Sequence, residues 1–329
     1  MKRILAGISL VVLVLTFASF IAEEAQKAGE AAQQPAGNGA PPLSNPLKVA
    51  LLKWYVATEN HFVVGKTQNS NPYGLAFDGQ AIWSANAGEG TVTKLRASDG
   101  ESLGTFDVGG QPNGIVFDGK NIWVTISPNT VSKLRASDGK VLGSFPAGSA
   151  PWWPAFDGQN VWIPNASSGT VTVLRAYDGK LLRTLQSPSA NGAAFDGQNV
   201  WITNYTPNTV TEFRANDGTQ LGVFPVGLSP IGVAFDGANI WTANENDGTV
   251  TKLRASDGTK LGSFFVGANP YGIAYDGQFM WVATGVALAQ VTEDGKVLRT
   301  PNANGSTGVA FDGASIWVAI GVGNDLRKY

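Results

Sequence analysis

An all-β fold is predicted for this 329-residue chain: a seven-bladed β-propeller of four-stranded antiparallel blades, closed by the N-terminal strand completing the last blade. Three observations predict it. Phe-Asp-Gly begins at Phe77, Phe117, Phe156, Phe195, Phe235 and Phe311, and Tyr275 begins a seventh copy. A Trp follows each Asp by five residues, at Trp83, Trp123, Trp162, Trp201, Trp241, Trp281 and Trp317. Asp78 and Asp312 stand 234 residues apart, six intervals with a mean of 39, which is the length of a propeller blade. No stretch of the repeat region has helical periodicity.

Within one copy the strands are separated by turns. Gly232 to Phe235 reads as the first, and Asp236-Gly237 turns the chain into a second at Asn239 to Asn244. Asp247-Gly248 leads to a third at Thr249 to Ala255, where apolar and polar residues alternate. Asp257-Gly258 is a hairpin turn, because Gly accepts positive φ at no steric cost, and Leu261 to Val266 ends the unit. The last copy runs out at Leu326-Arg327-Lys328-Tyr329, one strand short. Phe62-Val63-Val64-Gly65, ahead of the first copy, matches Phe264-Phe265-Val266-Gly267 and supplies that strand, which removes two exposed sheet edges.

Composition narrows the chemistry. With 43% hydrophobic and 15% charged residues the chain buries a core and is not disordered throughout. The absence of Cys excludes disulfides, Cys-ligated zinc, iron–sulfur clusters and thiol catalysis, and a single His excludes most histidine chemistry. Against 25 acidic residues, 23 basic ones give no excess to draw the protein to nucleic acid. Lys2 and Arg3 before the apolar run Ile4 to Ala22 have the order of a secretory leader, so residues 1–22 read as a signal peptide or signal anchor. Both readings export the remainder to a periplasmic or extracellular location, with membrane contact only if the segment stays uncleaved. Residues 23–46, rich in Ala, Gln, Gly and Pro, read as a disordered linker, and 47–329 as the propeller, expected to be a monomer.

Val200-Trp201-Ile202-Thr203-Asn204 resembles the signature of YVTN-type bacterial propellers, the YncE-like group, and Gly232-Val233-Ala234-Phe235-Asp236-Gly237 suits these and NHL repeats alike. The similarity covers residues 59–329 and implies a propeller without implying one function, because this fold hosts enzymes, binders and scaffolds. Asp-Gly-x-x-x-Trp also resembles the repeat of streptogramin B lyase, a family that uses a metal, a catalytic His and a Glu. The chain departs from that pattern, since its only His, His61, falls in the closing strand.

Marks present in every copy read as architecture. The seven Trp are expected between blades, the Asp-Gly pairs in turns, and Arg96, Arg135, Arg175, Arg214 and Arg254 beside acceptors in those turns. Function is sought where copies differ. The loops leading into each first strand, at the channel mouth, carry Tyr73, Asn113, Trp152, Asn191, Ile231, Tyr271 and Thr307; Gly follows in six copies, but Trp153 in the third. Loops between second and third strands add Asn86, Asn165, Asn204, Tyr205, Asn244 and Glu245. From these, Tyr73, Asn113, Trp152, Trp153, Asn191, Tyr271, Asn204, Tyr205 and Asn244 are the expected ligand contacts, aromatic faces and amides that suit a glycan, peptide or protein ligand. The competing structural role for Trp152 and Trp153 is to plug the channel. No catalytic triad and no Gly-x-Ser-x-Gly elbow is present. The expectation is therefore an exported, non-enzymatic binding or interaction module without a cofactor. The alternative is a metal-dependent lyase or lactonase, with Asn204, Asn244 and Glu245 as oxygen ligands for Ca²⁺ or Mg²⁺ and Glu89 and Asp247 as further candidates.

Overall fold

The computed structural model describes residues 60–329; the expected leader at 1–22 and linker at 23–46 lie outside them. Among the described residues, twenty-eight strands form seven four-stranded antiparallel sheets around one axis, as the repeats predict. In the fifth blade the strands are Pro230–Phe235, Asn239–Asn244, Thr249–Arg254 and Lys260–Phe265. The innermost begins two residues before the position read from the sequence, because Pro230 pairs with Asn244 across a bulge that ends at Val233.

Closure takes the expected form. Asn60–Val63 pairs antiparallel with Asp325–Lys328, Phe62 opposite Leu326, as the outermost strand of the sheet holding Ser306–Phe311 and Ile316–Ile320. The sole His, His61, lies on this strand, with Nδ1 2.9 Å from Oδ2 of Asp325.

The five-residue spacing from Asp to Trp has a cause that the sequence does not display. Asp236 Oδ1 accepts the backbone N–H groups of Ala238 and Asn239, and Oδ2 accepts the Trp241 indole Nε1–H at 2.7 Å. All seven copies repeat that indole bond at 2.6–2.8 Å. A buried indole N–H without an acceptor costs about 1–3 kcal/mol, so one carboxylate holds the turn and makes burial of the ring affordable. The rings lie between blades, as expected: Trp83 of blade 1 packs on Ile115, Ile122 and Leu134 of blade 2.

Adjacent blades are stitched at two further levels. Lys94, Lys133, Lys252 and Lys328 cross their own blade's Trp face at 4.9–5.1 Å and donate to backbone carbonyls of the next blade, at Ala136, Ala176, Glu293 and Ala97. On the outer strands, Phe106, Phe145, Phe224 and Phe264 rest on the hairpin glycines of the following blades, Gly139, Gly179, Gly258 and Gly295. Phe62 does the same to Gly100 across the seam, so the closing strand reproduces the ordinary blade contact. A Cβ at any of these five glycines would fall 1.9–2.2 Å from a ring atom. The recurring Arg residues pair with the Asp three residues on, from Arg96 with Asp99 to Arg254 with Asp257, and brace the exposed hairpins.

Candidate functional site at the channel mouth

Every blade leads into its innermost strand through a left-handed residue, at Asn71, Gly110, Ala150, Ser189, Ser229, Asn269 and Gly305, with φ between 47° and 82°. Six loops use Gly or a residue with a short polar side chain; Ala150, at φ 55°, has neither freedom and carries about 1–2 kcal/mol of strain. It stands immediately before Pro151-Trp152-Trp153, where the repeat breaks.

The glycine that follows in six copies is a packing requirement. A Cβ on Gly74, Gly192, Gly232, Gly272 or Gly308 would lie 2.1–2.6 Å from a carbonyl oxygen of the next blade, and one on Gly114 would meet the carbonyl of Trp152 at 2.6 Å. These contacts form the inner wall. At Trp153 the chain bonds sideways to blade 4 twice, its N–H to the Asn191 carbonyl (3.1 Å) and its carbonyl to the Ala193 N–H (3.0 Å), where Gly272 makes one such bond, to the Thr307 carbonyl (2.9 Å). The innermost strand of blade 3 is short, Ala155–Phe156, as is that of blade 6, Ile273–Tyr275. The Trp153 side chain lines a cleft of about 130 Å³ on the axis, with Leu75, Ile115, Val233, Ile273 and Val309 from five other blades. The double Trp is thus divided: Trp153 lies in the channel, while Trp152 stands beside Tyr73 with ring centroids 5.7 Å apart, and the two indoles meet edge to face at 6.4 Å.

Opposite them is a cluster built by three consecutive blades. Glu245, half-buried in blade 5, accepts the hydroxyls of Tyr205 from blade 4 and Tyr271 from blade 6, both at 2.7 Å. The hydrogen bond to Glu245, with burial, raises the Tyr205 phenol above its ordinary value; burial first and then that bond raise Tyr271 further. Burial and the Glu245 charge also raise Tyr73, which links this cluster to the Tyr73–Trp152 pair. All three phenols stay protonated at neutral pH and donate or present a face.

Four of the expected contacts are used differently. Asn204 and Asn244 are buried, and each donates both amide protons to hydroxyls of its own blade, Thr209 and Thr211 or Thr249 and Thr251. Asn86 and Asn165 do the same, so this Asn locks a turn in four blades. Asn113 is buried and donates to Ser127 Oγ and the Pro151 carbonyl, and Asn191 is buried, its side-chain amide donating to the Ser189 carbonyl while its backbone carbonyl accepts the Trp153 N–H. They support the aromatic residues. The acidic candidates for Ca²⁺ or Mg²⁺ are likewise dispersed: Asp247 bonds Thr249 and the Leu228 N–H, Glu89 bonds Ser70 and Thr91, and Glu245 holds two phenols. Among the described residues no three His, Asp or Glu converge in a metal-binding group.

The fold and this mouth define a seven-bladed propeller with a half-buried carboxylate and aromatic residues at one end of its channel. Similar structures include a streptogramin B lyase, 18% identical, covering 82% of this chain and 96% of that one with a TM-score of 0.69. Virginiamycin B lyase from Staphylococcus aureus is 16% identical over 82% and 98%, with a TM-score of 0.72. The RRP9 WD40 repeats are 15% identical over 82% and 96% at 0.71, and BamB from Moraxella catarrhalis is 13% identical over 78% and 84% at 0.59. The chain shares its fold with all of these. No family model and no curated protein matches it.

Proposed function

We propose that this chain is an exported, non-catalytic binding module of the YVTN-like kind, which captures its ligand at the channel mouth. One observation carries the reading: Tyr73, Trp152, Trp153, Tyr205, Glu245 and Tyr271, the residues that break the repeat, gather at one end of the axis, whereas residues that recur are used within and between blades. Catalysis of the lyase type has less support, because His61 is paired with Asp325 in the closing strand and the acidic residues are engaged apart from one another.

The test is Trp152→Ala combined with Trp153→Gly, screened on glycan and peptide arrays. Glycine at 153 restores what the other six copies have, so the melting curve should remain cooperative. Stacking on an aromatic face contributes roughly 1–3 kcal/mol, so removal of two faces should weaken binding by more than about tenfold. Unchanged array binding, or collapse of the fold, would show that the pair only fills the channel.

A further inference from the structure

We propose that the ligand group selected at this mouth is an organic ammonium, held over the Tyr73 and Trp152 faces against the Glu245 carboxylate; the inference rests on the mouth being the binding site. The molecule itself shows how it treats indole faces. Five of the seven repeat Trp residues carry a cation over the ring at 4.8–5.1 Å, supplied by Lys94, Lys133, Lys252, Arg299 and Lys328. In three of these the same ammonium approaches a carboxylate as well, Lys94 to Asp78 at 3.6 Å, Lys252 to Glu293 at 3.4 Å and Lys328 to Asp312 at 3.9 Å. Aromatic face, carboxylate and cation form one recurring unit.

At the mouth the first two parts are present and the third is not. Among the described residues no Lys or Arg pairs with Glu245 and none lies over Trp152 or Trp153. The carboxylate offers about four lone-pair sites, and the two phenols occupy two of them. Those phenols fix its orientation without neutralising its charge. Tyr73 and Trp152 are neighbours with centroids 5.7 Å apart and planes inclined at 58°, and Trp153 meets Trp152 edge to face, so the aromatic surface at the mouth comes from adjacent rings of two blades. A cation within about 6 Å of such faces is attracted by each ring, most strongly where water is excluded. A neutral sugar would also stack and donate hydroxyls to the free lone pairs of Glu245, but it would gain neither the ion–ion attraction nor the cation–π term.

The discriminating measurement uses the full chain and two probes of one shape: choline, and its uncharged isostere in which a tert-butyl group replaces trimethylammonium. Calorimetry or ligand-detected NMR should give choline at least about tenfold the affinity of the isostere, from cation–π attraction and the carboxylate together. Glu245→Gln should reduce that ratio toward one, the ratio rather than either absolute affinity being the readout. Equal affinities of the native protein for both probes would overturn the inference, whether or not the Gln variant folds. So would failure to bind choline at about 10 mM, the limit of weak recognition. If, in that case, an array ligand still binds and is lost on removing Trp152 and Trp153, the mouth remains the site and only its cation preference is wrong. If nothing binds, both readings fall.

Discussion

Truncation of one ring in the closing strand tests how the propeller is held shut. Phe62 lies 4.9 Å from Trp317, rests on Gly100 of blade 1, and packs with Val64 and Leu326 on one side of the seam and Ile82 and Leu95 on the other. Burial of a complete Phe side chain is worth about 3–5 kcal/mol against Ala, and Phe62 is half-buried, so Phe62→Ala should cost about 3 kcal/mol. For a ring of this size about 2 °C accompanies each kcal/mol, which gives a fall in Tm of about 6 °C. The control is Phe265→Ala. Phe265 is 72% exposed on the outer strand of blade 5, beside Phe264, and its loss should stay within about 0.5 kcal/mol. Thermal unfolding with light scattering reads both, because a loosened seam also exposes the Asp325–Lys328 edge to pairing with other chains. Deleting residues 59–65 should exaggerate the effect, whereas deleting 23–46 should leave Tm unchanged. Equal Tm for Phe62→Ala and Phe265→Ala, or for the two deletions, would refute the seam as the point of closure.

Three further outcomes are expected. Gly139→Ala must adopt φ 72° and also displace Phe106, at about 2–4 kcal/mol in denaturant titration, whereas Gly79→Ala, at φ 94° in open space, should cost only about 1 kcal/mol. Burial alone would raise the Asp236 carboxyl, but its bonds from Trp241, Asn239 and the turn overcome this and hold it below the ordinary value of about 4; the stability it adds is therefore present above that value and lost as pH falls through the lower folded one, so Asp236→Asn should flatten the acid limb of a plot of unfolding midpoint against pH. The Tyr205 and Tyr271 phenols are raised, so the stability linked to them is complete below about 10 and lost as pH climbs through the raised values; Glu245→Gln should bring their phenolate absorbance in at lower pH, and an unaltered ultraviolet titration would contradict the cluster.

What repeats along the chain was legible because each blade solves the same problem with the same residues. The match of Phe62 to Phe264 located the closing strand, and the phase of Asp and Trp set the blade, since both marks act inside one copy. Contacts between copies left a fainter trace. That Gly139 receives Phe106, or that Lys94 reaches the Ala136 carbonyl, follows from placing blades side by side, and no alignment of copies brings those residues together. The same reasoning explains why the amides are engaged inside their blades. Asn204 and Asn244 recur as Asn86 and Asn165, and recurrence marks blade chemistry here as surely as it does for the tryptophans. Glu245 was visible only as a lone oxygen donor, because its partners sit 40 residues before it and 26 after it, one blade away on each side. A signal existed nonetheless: loop positions filled by Ala87, Ala166, Gly285 and Gly321 elsewhere become Tyr205 and Glu245 in two consecutive copies, and Tyr271 opens the next. Departures scattered around a ring would face unrelated solvent. Departures in adjacent blades share one stretch of rim, and that adjacency turns three isolated substitutions into a single polar cluster whose charge reaches Tyr73.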